Sequence, residues 1–363
     1  MATSPLLSAL FLALTWSSSD AFHMPLGAPL SLRSASQICA PHGTCSRLPS
    51  MRPRREALLA RVQVVACAAS DPEVVASSVV QPEERWVQAE DGHPIKVWSK
   101  GPKDGIPVLL LHGRTWSARP VWDLQVEGRE GAAYLGASTM DLMAAEGYKT
   151  FAPDFRGMGG TSRDTPGWTT PDRCAADMAD VLRQMSKEGI NKPHVIGWSQ
   201  GAVVAQLLAQ NHPELIDRLV LYGSIFDPKE TQDAANFDTT AAPPHVDNTM
   251  EGAMEDWSVP GLIDAQAAQA FGDACMVWDA RKVSWSNLHE FNALDPSKVV
   301  VPTLVVYGAG DVYNSFTNQE HLFSNLGTHD RALRTIPLAD HPVHLYPRER
   351  QAWWQSVKGF LCG

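Results

Sequence analysis

No stretch of the chain approaches 18 consecutive apolar residues, so the sequence offers no membrane-spanning helix. Cysteine is scarce: six in 363 residues, none in a C-x-x-C pair and none at metal-type spacing. Cys39, Cys45 and Cys67 lie near the start, and Cys174, Cys275 and Cys362 are scattered through the rest. Free, mostly buried thiols are expected in place of a disulfide framework. No metal, nucleotide or flavin motif is present, so no cofactor is implied. The net charge is -10, and the first 70 residues are themselves net positive, so the remainder is more acidic still. Such a body argues against nucleic acid as a partner and leaves a small neutral molecule open.

Acidic residues and lysine are both missing from residues 22–55, where Ser, Arg, Pro and Ala dominate. Before it, Leu6 to Trp16 is apolar but too short to span, and Ser19-Asp20-Ala21 has the small-x-small form of a signal-peptidase site. Residues 1–70 are therefore expected to be a removable leader. An apolar signal, a Phe at the new N-terminus and a Ser/Arg-rich segment resemble the bipartite plastid leaders of algae with secondary plastids. A plain secretory signal followed by a linker is the alternative.

What is present is organised around Pro193 to Val203. Val195 to Trp198 is a short apolar run of strand character, and Ala202 to Ala209 has helical character. Between them stands Gly197-x-Ser199-x-Gly201. The bare pentapeptide recurs by chance in roughly one protein in ten of this length. The flanking strand and helix add the specificity: a serine on so sharp a turn is pushed into strained backbone with its hydroxyl exposed. The helix N-terminus behind it favours developing negative charge.

Strands are expected at Glu84–Gln88, Ile95–Ser99, Ile106–Leu111, Lys149–Pro153, Arg218–Tyr222, Pro302–Tyr307 and Ala332–Ile336, besides Val195–Trp198, which leads into the serine turn, or nucleophile elbow. Helical patterns fall at 132–147, 171–186, 318–326 and 348–361. The alternation predicts an α/β fold: a doubly wound, mostly parallel sheet with helices on both faces. It breaks between Ser224 and Val299, where helical stretches carry Met250, Met254, Trp257, Phe271, Met276, Trp278 and Trp285. An insertion after a strand's C-terminal end lies over the edge where ligands bind. The expected organisation is thus core at 82–223, a helical cap at 224–300 and core again at 301–363.

A serine hydroxyl needs a base, and the base needs an acid to orient it. Asp311 and His341 each follow a strand, which gives the chain order Ser199, Asp311, His341. His344 is a second candidate base and Asp227 a second candidate acid. Asp154 reads as a group that orients the turn around Arg156, and His112 as a structural histidine under the loop after the third strand.

These residues resemble the α/β-hydrolase superfamily. Four motifs carry the likeness: His112-Gly113-Arg114, Asp154-x-Arg156-Gly157-x-Gly159, Gly197-Trp198-Ser199-Gln200-Gly201, and Asp311 with His341. The resemblance implies that the backbone N–H groups of Arg114 and Gln200 form the oxyanion hole. It departs from the family at three places: Asp340 where Gly usually precedes the histidine, Ala202 where a second Gly often follows the elbow, and Tyr346-Pro347 in place of acid-x-Pro. The expectation is a serine hydrolase acting on an ester or related acyl bond of a medium-sized apolar substrate. Acyl transfer or carbon–carbon cleavage by the same triad, or a ligand-binding receptor on the same fold, are the alternatives. The Arg114 side chain is either solvated or placed to meet a substrate carboxylate.

Overall fold

The computed structural model describes residues 81–129, 137–234, 238–255, 257 and 261–363. The expected leader, 1–70, lies outside them. The described chain is built on one eight-stranded sheet. Its strands are β1 (Glu83–Gln88), β2 (Pro94–Lys100), β3 (Ile106–Leu111), β4 (Tyr148–Pro153), β5 (His194–Trp198), β6 (Leu219–Tyr222), β7 (Thr303–Gly308) and β8 (Arg331–Ile336). They lie in the order β1-β2-β4-β3-β5-β6-β7-β8. β2 runs antiparallel to both β1 and β4, and the six strands from β4 across to β8 are parallel.

The apolar runs explain the layering. Successive side chains of a strand face opposite ways, so an unbroken apolar strand feeds two cores. Leu109 and Leu111 enter one cluster with Val195, Leu221 and Val305. Val108 and Leu110 enter the other with Ile196, Tyr222 and Val306. The first core is closed by α3 (Pro171–Lys187), α4 (Gln200–Asn211) and α7 (Phe316–Asn325). The second is closed by α1 (Ala118–Trp122), α2 (Thr139–Ala145) and α8 (Glu349–Leu361), which supplies Trp353, Trp354 and Val357. Thr170 caps α3, accepting from the Arg173 N–H, and Pro171 stands in the first turn where a missing N–H costs nothing.

Between β6 and β7 lie α5 (Met250–Met254), α6 (Ala265–Trp278) and short 3-10 turns. Of the helix expected over 132–147, Thr139–Ala145 forms and 132–136 lies outside the described residues. Helix α1 was not expected. Pro120 inside so short a segment hides it from any periodicity. Among the described residues Cys174, Cys275 and Cys362 are free, the first two buried. No described helix is long and apolar enough to cross a membrane.

The chain crosses from one half of the sheet to the other between β3 and β5: β4 lies beside β3 on one side and β5 on the other. At such a switch point the loops after the strands part and leave a crevice at their carboxyl ends. Arg114 follows β3 and Ser199 follows β5, so both stand at its lip.

Candidate active site

Ser199, directly after β5, has φ 57° and ψ −124°, a conformation that costs a non-glycine residue on the order of 1–3 kcal/mol. The turn closes because its flanks are bare. A Cβ on Gly197 would lie 2.3 Å from the Gly201 carbonyl oxygen, and one on Gly201 would lie 2.2 Å from that of His112. The Ser199 N–H donates to the Tyr222 carbonyl at 3.0 Å, and its carbonyl accepts from the Ala202 N–H at 3.0 Å. Helix α4 starts at once with Gln200, whose N–H belongs to the first turn and has no partner within the helix.

The loop after β3 meets this turn. A Cβ on Gly113 would sit 3.3 Å from that of Ser199. His112 is buried beneath it and accepts the Phe155 N–H at Nε2, 3.0 Å away. Its Nδ1 therefore carries the proton and donates to the Gly113 carbonyl at 3.0 Å. Burial pushes the His112 pKa down to about 4, so the ring stays neutral. Because the 113–114 peptide is planar and trans, tying its carbonyl to His112 turns the Arg114 N–H the opposite way.

His341 Nδ1 lies 2.8 Å from Asp311 Oδ2. Asp311 is buried and accepts further bonds from the Tyr313 N–H at 2.9 Å and the Asn314 amide at 2.5 Å. The His341 carbonyl has Trp198 Nε1 and the Tyr222 hydroxyl each 3.1 Å away. The ring stacks at a tilt on Trp198, 5.0 Å between centroids, and meets Tyr313 edge-on at 4.9 Å. Ser199 and His341 line one cavity of about 530 Å³.

His344 and Asp227 stand elsewhere. His344 is fully buried, with Nε2 3.0 Å from the Val121 carbonyl and Nδ1 3.0 Å from the Tyr222 hydroxyl. Burial holds its pKa well below the ordinary histidine value. It supports the His341 segment from behind. Asp227 accepts the Lys229 N–H at 2.8 Å and so caps its own turn. Two of the departures from the family pattern prove to be one interaction: the buried Tyr346 hydroxyl donates to buried Asp340.

Asp154 and Arg156 organise the loop after β4. Asp154 accepts from Trp98 Nε1, the Ala118 N–H and the Gly160 N–H at 2.8–2.9 Å. Asp279, from the segment between β6 and β7, takes the neighbouring donors: the Ser117 N–H and hydroxyl, both at 2.8 Å, and the Gly159 N–H at 3.0 Å. Burial pushes Asp154 up to about 6 and Asp279 up to about 7. Arg156 is buried and grips both oxygens of Asp177 at 2.6 and 2.7 Å and both of Asp91 at 2.8 Å, with Asp164 at 2.9 Å.

The cavity is less apolar than the sequence suggests. Trp116, Trp198 and Ile225 line it, but so do Arg114, Asp247, Asn248, Thr249, Glu255 and Lys282. The aromatic residues of the insertion are used in packing: Phe271 meets Trp116 and Trp257 edge-on, and Trp278 meets Trp98. Tyr313 and Asn314, both in contact with the histidine–aspartate pair, were not singled out in the sequence. Their only signal is adjacency to Asp311.

The alpha/beta hydrolase family model matches residues 108–352, from β3 to the first turn of the last helix, and the match contains Arg114, Ser199, Asp311 and His341. The chain belongs to the alpha/beta hydrolase family. Within it, the chain is 31% identical to 2-hydroxymuconate semialdehyde hydrolase of Pseudomonas putida over 122 residues, 34% of this chain and 37% of that one. It is 30% identical to a putative carbamate hydrolase, RutD, of Caulobacter sp. (strain K31) over 111 residues, 31% of this chain and 40% of that one. The matched stretches thus span about two fifths of these relatives' lengths. Among solved structures of the fold, the thioesterase domain from the curacin biosynthetic pathway superposes with a TM-score of 0.54 at 18% identity. That match covers 78% of this chain and 100% of that one. At that identity the likeness shows that this alpha/beta hydrolase shares the fold.

Proposed function

We propose that this family member is a serine hydrolase that cleaves a carboxylic ester or related acyl bond through an acyl-enzyme. Ser199 is the nucleophile, His341 its base and Asp311 the group that orients His341. The observation that carries the reading is Ser199 on a strained elbow in the same cavity as a histidine whose Nδ1 is 2.8 Å from buried Asp311. With Nδ1–H donated to the carboxylate, Nε2 is the nitrogen with a lone pair for the Ser199 proton. Ser199 Oγ attacks the carbonyl carbon, and the carbonyl electron pair moves onto oxygen. The N–H groups of Arg114 and Gln200 receive that oxyanion. His341 then gives its proton to the leaving alcohol, and water repeats the sequence to free the acid.

Residues 224–300 act as the cap that closes the substrate in. The substrate is of medium size, apolar where it meets Trp116, Trp198 and Ile225 and polar where it meets Asn248, Thr249 and Lys282. The test is a fluorophosphonate label on the full chain, followed by a panel of p-nitrophenyl esters of increasing acyl length. Stoichiometric labelling of the wild type at Ser199, with turnover of at least one ester, is expected. An unlabelled wild type with no ester turnover would overturn the reading.

A further inference from the structure

The loop that opens the site, residues 112–117, is gripped by two side chains from far along the chain. Trp285 Nε1 donates to the Arg114 carbonyl at 3.0 Å. Asp279 holds the N–H and the hydroxyl of Ser117. Both come from the segment between β6 and β7. Trp285 is itself clipped to the sheet side: the Thr169 N–H donates to the Ser284 carbonyl at 2.8 Å, and the Ser286 N–H to the Thr169 carbonyl at 2.9 Å. Thr169 in turn donates its hydroxyl to the Arg156 carbonyl at 2.8 Å. Each peptide is a rigid plane, and Arg114 sits between two of them. The plane before it is tied through the Gly113 carbonyl to His112, the plane after it through its own carbonyl to Trp285. With both planes held, the direction of the Arg114 N–H is set.

We propose that Trp285 and Asp279 are positioning residues that couple the seating of the insertion to the aim of the Arg114 N–H. The oxyanion hole is then complete only while the insertion sits on the sheet. This rests on the reading of Ser199 as nucleophile and Arg114 as oxyanion donor. Lys282 lines the cavity three residues before Trp285, so a substrate that fills the cavity bears on the strand of chain that aims the donor.

Trp285→Phe removes one N–H and keeps a ring against Phe155, which Trp285 meets edge-on. With p-nitrophenyl butyrate, kcat is expected to fall about tenfold while KM stays within about twofold, as for an interaction felt mainly in the transition state. Phenyl trifluoromethyl ketone supplies a second readout. Ser199 Oγ adds to its carbonyl carbon, the serine proton passes to His341, and the carbonyl oxygen becomes an oxyanion in the same hole. Its affinity is expected to fall by the same factor, while that of the corresponding alcohol, which forms no oxyanion, holds. A tryptophan with a merely structural role would lower the melting temperature and leave both readouts in place. Should Trp285→Phe fail to fold, Ser117→Ala, which keeps the backbone N–H, is expected to lower kcat and ketone affinity together by about threefold. Undiminished kcat and ketone affinity in whichever variant folds, with a wild type that labels normally, would overturn the positioning role alone. A wild type that neither labels nor turns over ester would overturn the catalytic reading and the positioning role with it.

Discussion

The two walls of the cavity are made by different means. On the sheet side, Arg114, Ser199 and His341 follow β3, β5 and β8, and the Ser199 N–H and the His341 carbonyl are both bonded to Tyr222 at the end of β6. On the other side, Asp247 to Glu255 and Lys282 come from a five-residue helix and irregular chain, joined by a lone bridge between Asp247 and Arg281. The difference teaches which wall can change cheaply. A strand end places a side chain through its own hydrogen-bond ladder, whereas a loop residue keeps its place by a few side-chain bonds. On the proposed reading, reaction chemistry belongs to the first wall and choice of substrate to the second.

The contrast can be broken most sharply on the sheet side. Ser199→Ala should remove fluorophosphonate labelling and lower ester turnover by about 10³-fold or more, with the melting temperature nearly unchanged. His341→Ala should lose about as much. His344→Ala should instead keep kcat within about tenfold while denaturant unfolding records a loss of roughly 2–3 kcal/mol, since it empties a buried, doubly bonded site. A dead but stable His344→Ala would reassign the base.

Arg156→Met tests the frame beneath that wall. Removing the guanidinium leaves the buried Asp177 carboxylate uncompensated, so urea unfolding should show a loss of about 3–5 kcal/mol, with KM for p-nitrophenyl butyrate little moved.

The join between the walls titrates. Asp279 is raised from 3.8 to about 7, so between those values the native state binds more protons than the unfolded chain. Its contribution is complete below pH 3.8 and is lost as pH rises to about 7, at up to about 1.4 kcal/mol per pH unit. Asp279→Asn should flatten the fall in stability between pH 5 and pH 7.5, measured by urea midpoints. An unaltered slope would show that Asp279 is not the titrating group.

The smallest effect belongs to the second wall. Lys282→Met should leave kcat for p-nitrophenyl butyrate near wild type and shift KM by about threefold or less between neutral and acidic esters of matched length.

The same contrast explains how much was legible in the sequence. The inner strands β3, β5, β6 and β7 could be read because each is a mainly apolar run buried on both faces, a pattern that needs no knowledge of partners. The elbow was legible because its backbone tolerates only bare flanks at Gly197 and Gly201. Asp311 and His341 were placed by their position after strands, and the structure brings them to 2.8 Å. Trp285 and Asp279 could not be assigned. Their partners are 171 and 162 residues away, and no local period records such a meeting. The aromatic residues of the insertion read more readily as its own packing than as substrate contacts, and Phe271, Trp257 and Trp278 do meet Trp116, one another and Trp98. The polar lining at Asn248, Thr249 and Lys282 had no such signal, so the pocket is less apolar than expected.

The bond between Tyr346 and Asp340 bears on descent as well as on structure. Scored position by position, Asp340 and Tyr346 are two separate departures from the family pattern. Joined in the core, they are a single heritable character. Replacing either alone removes one buried hydrogen bond and leaves the other's polar group with one partner fewer in the core. Lineages that carry an acid just before the histidine should therefore carry the tyrosine six residues on, and should lose the two together. A branch of the family defined by that pair would be more coherent than one defined by either residue.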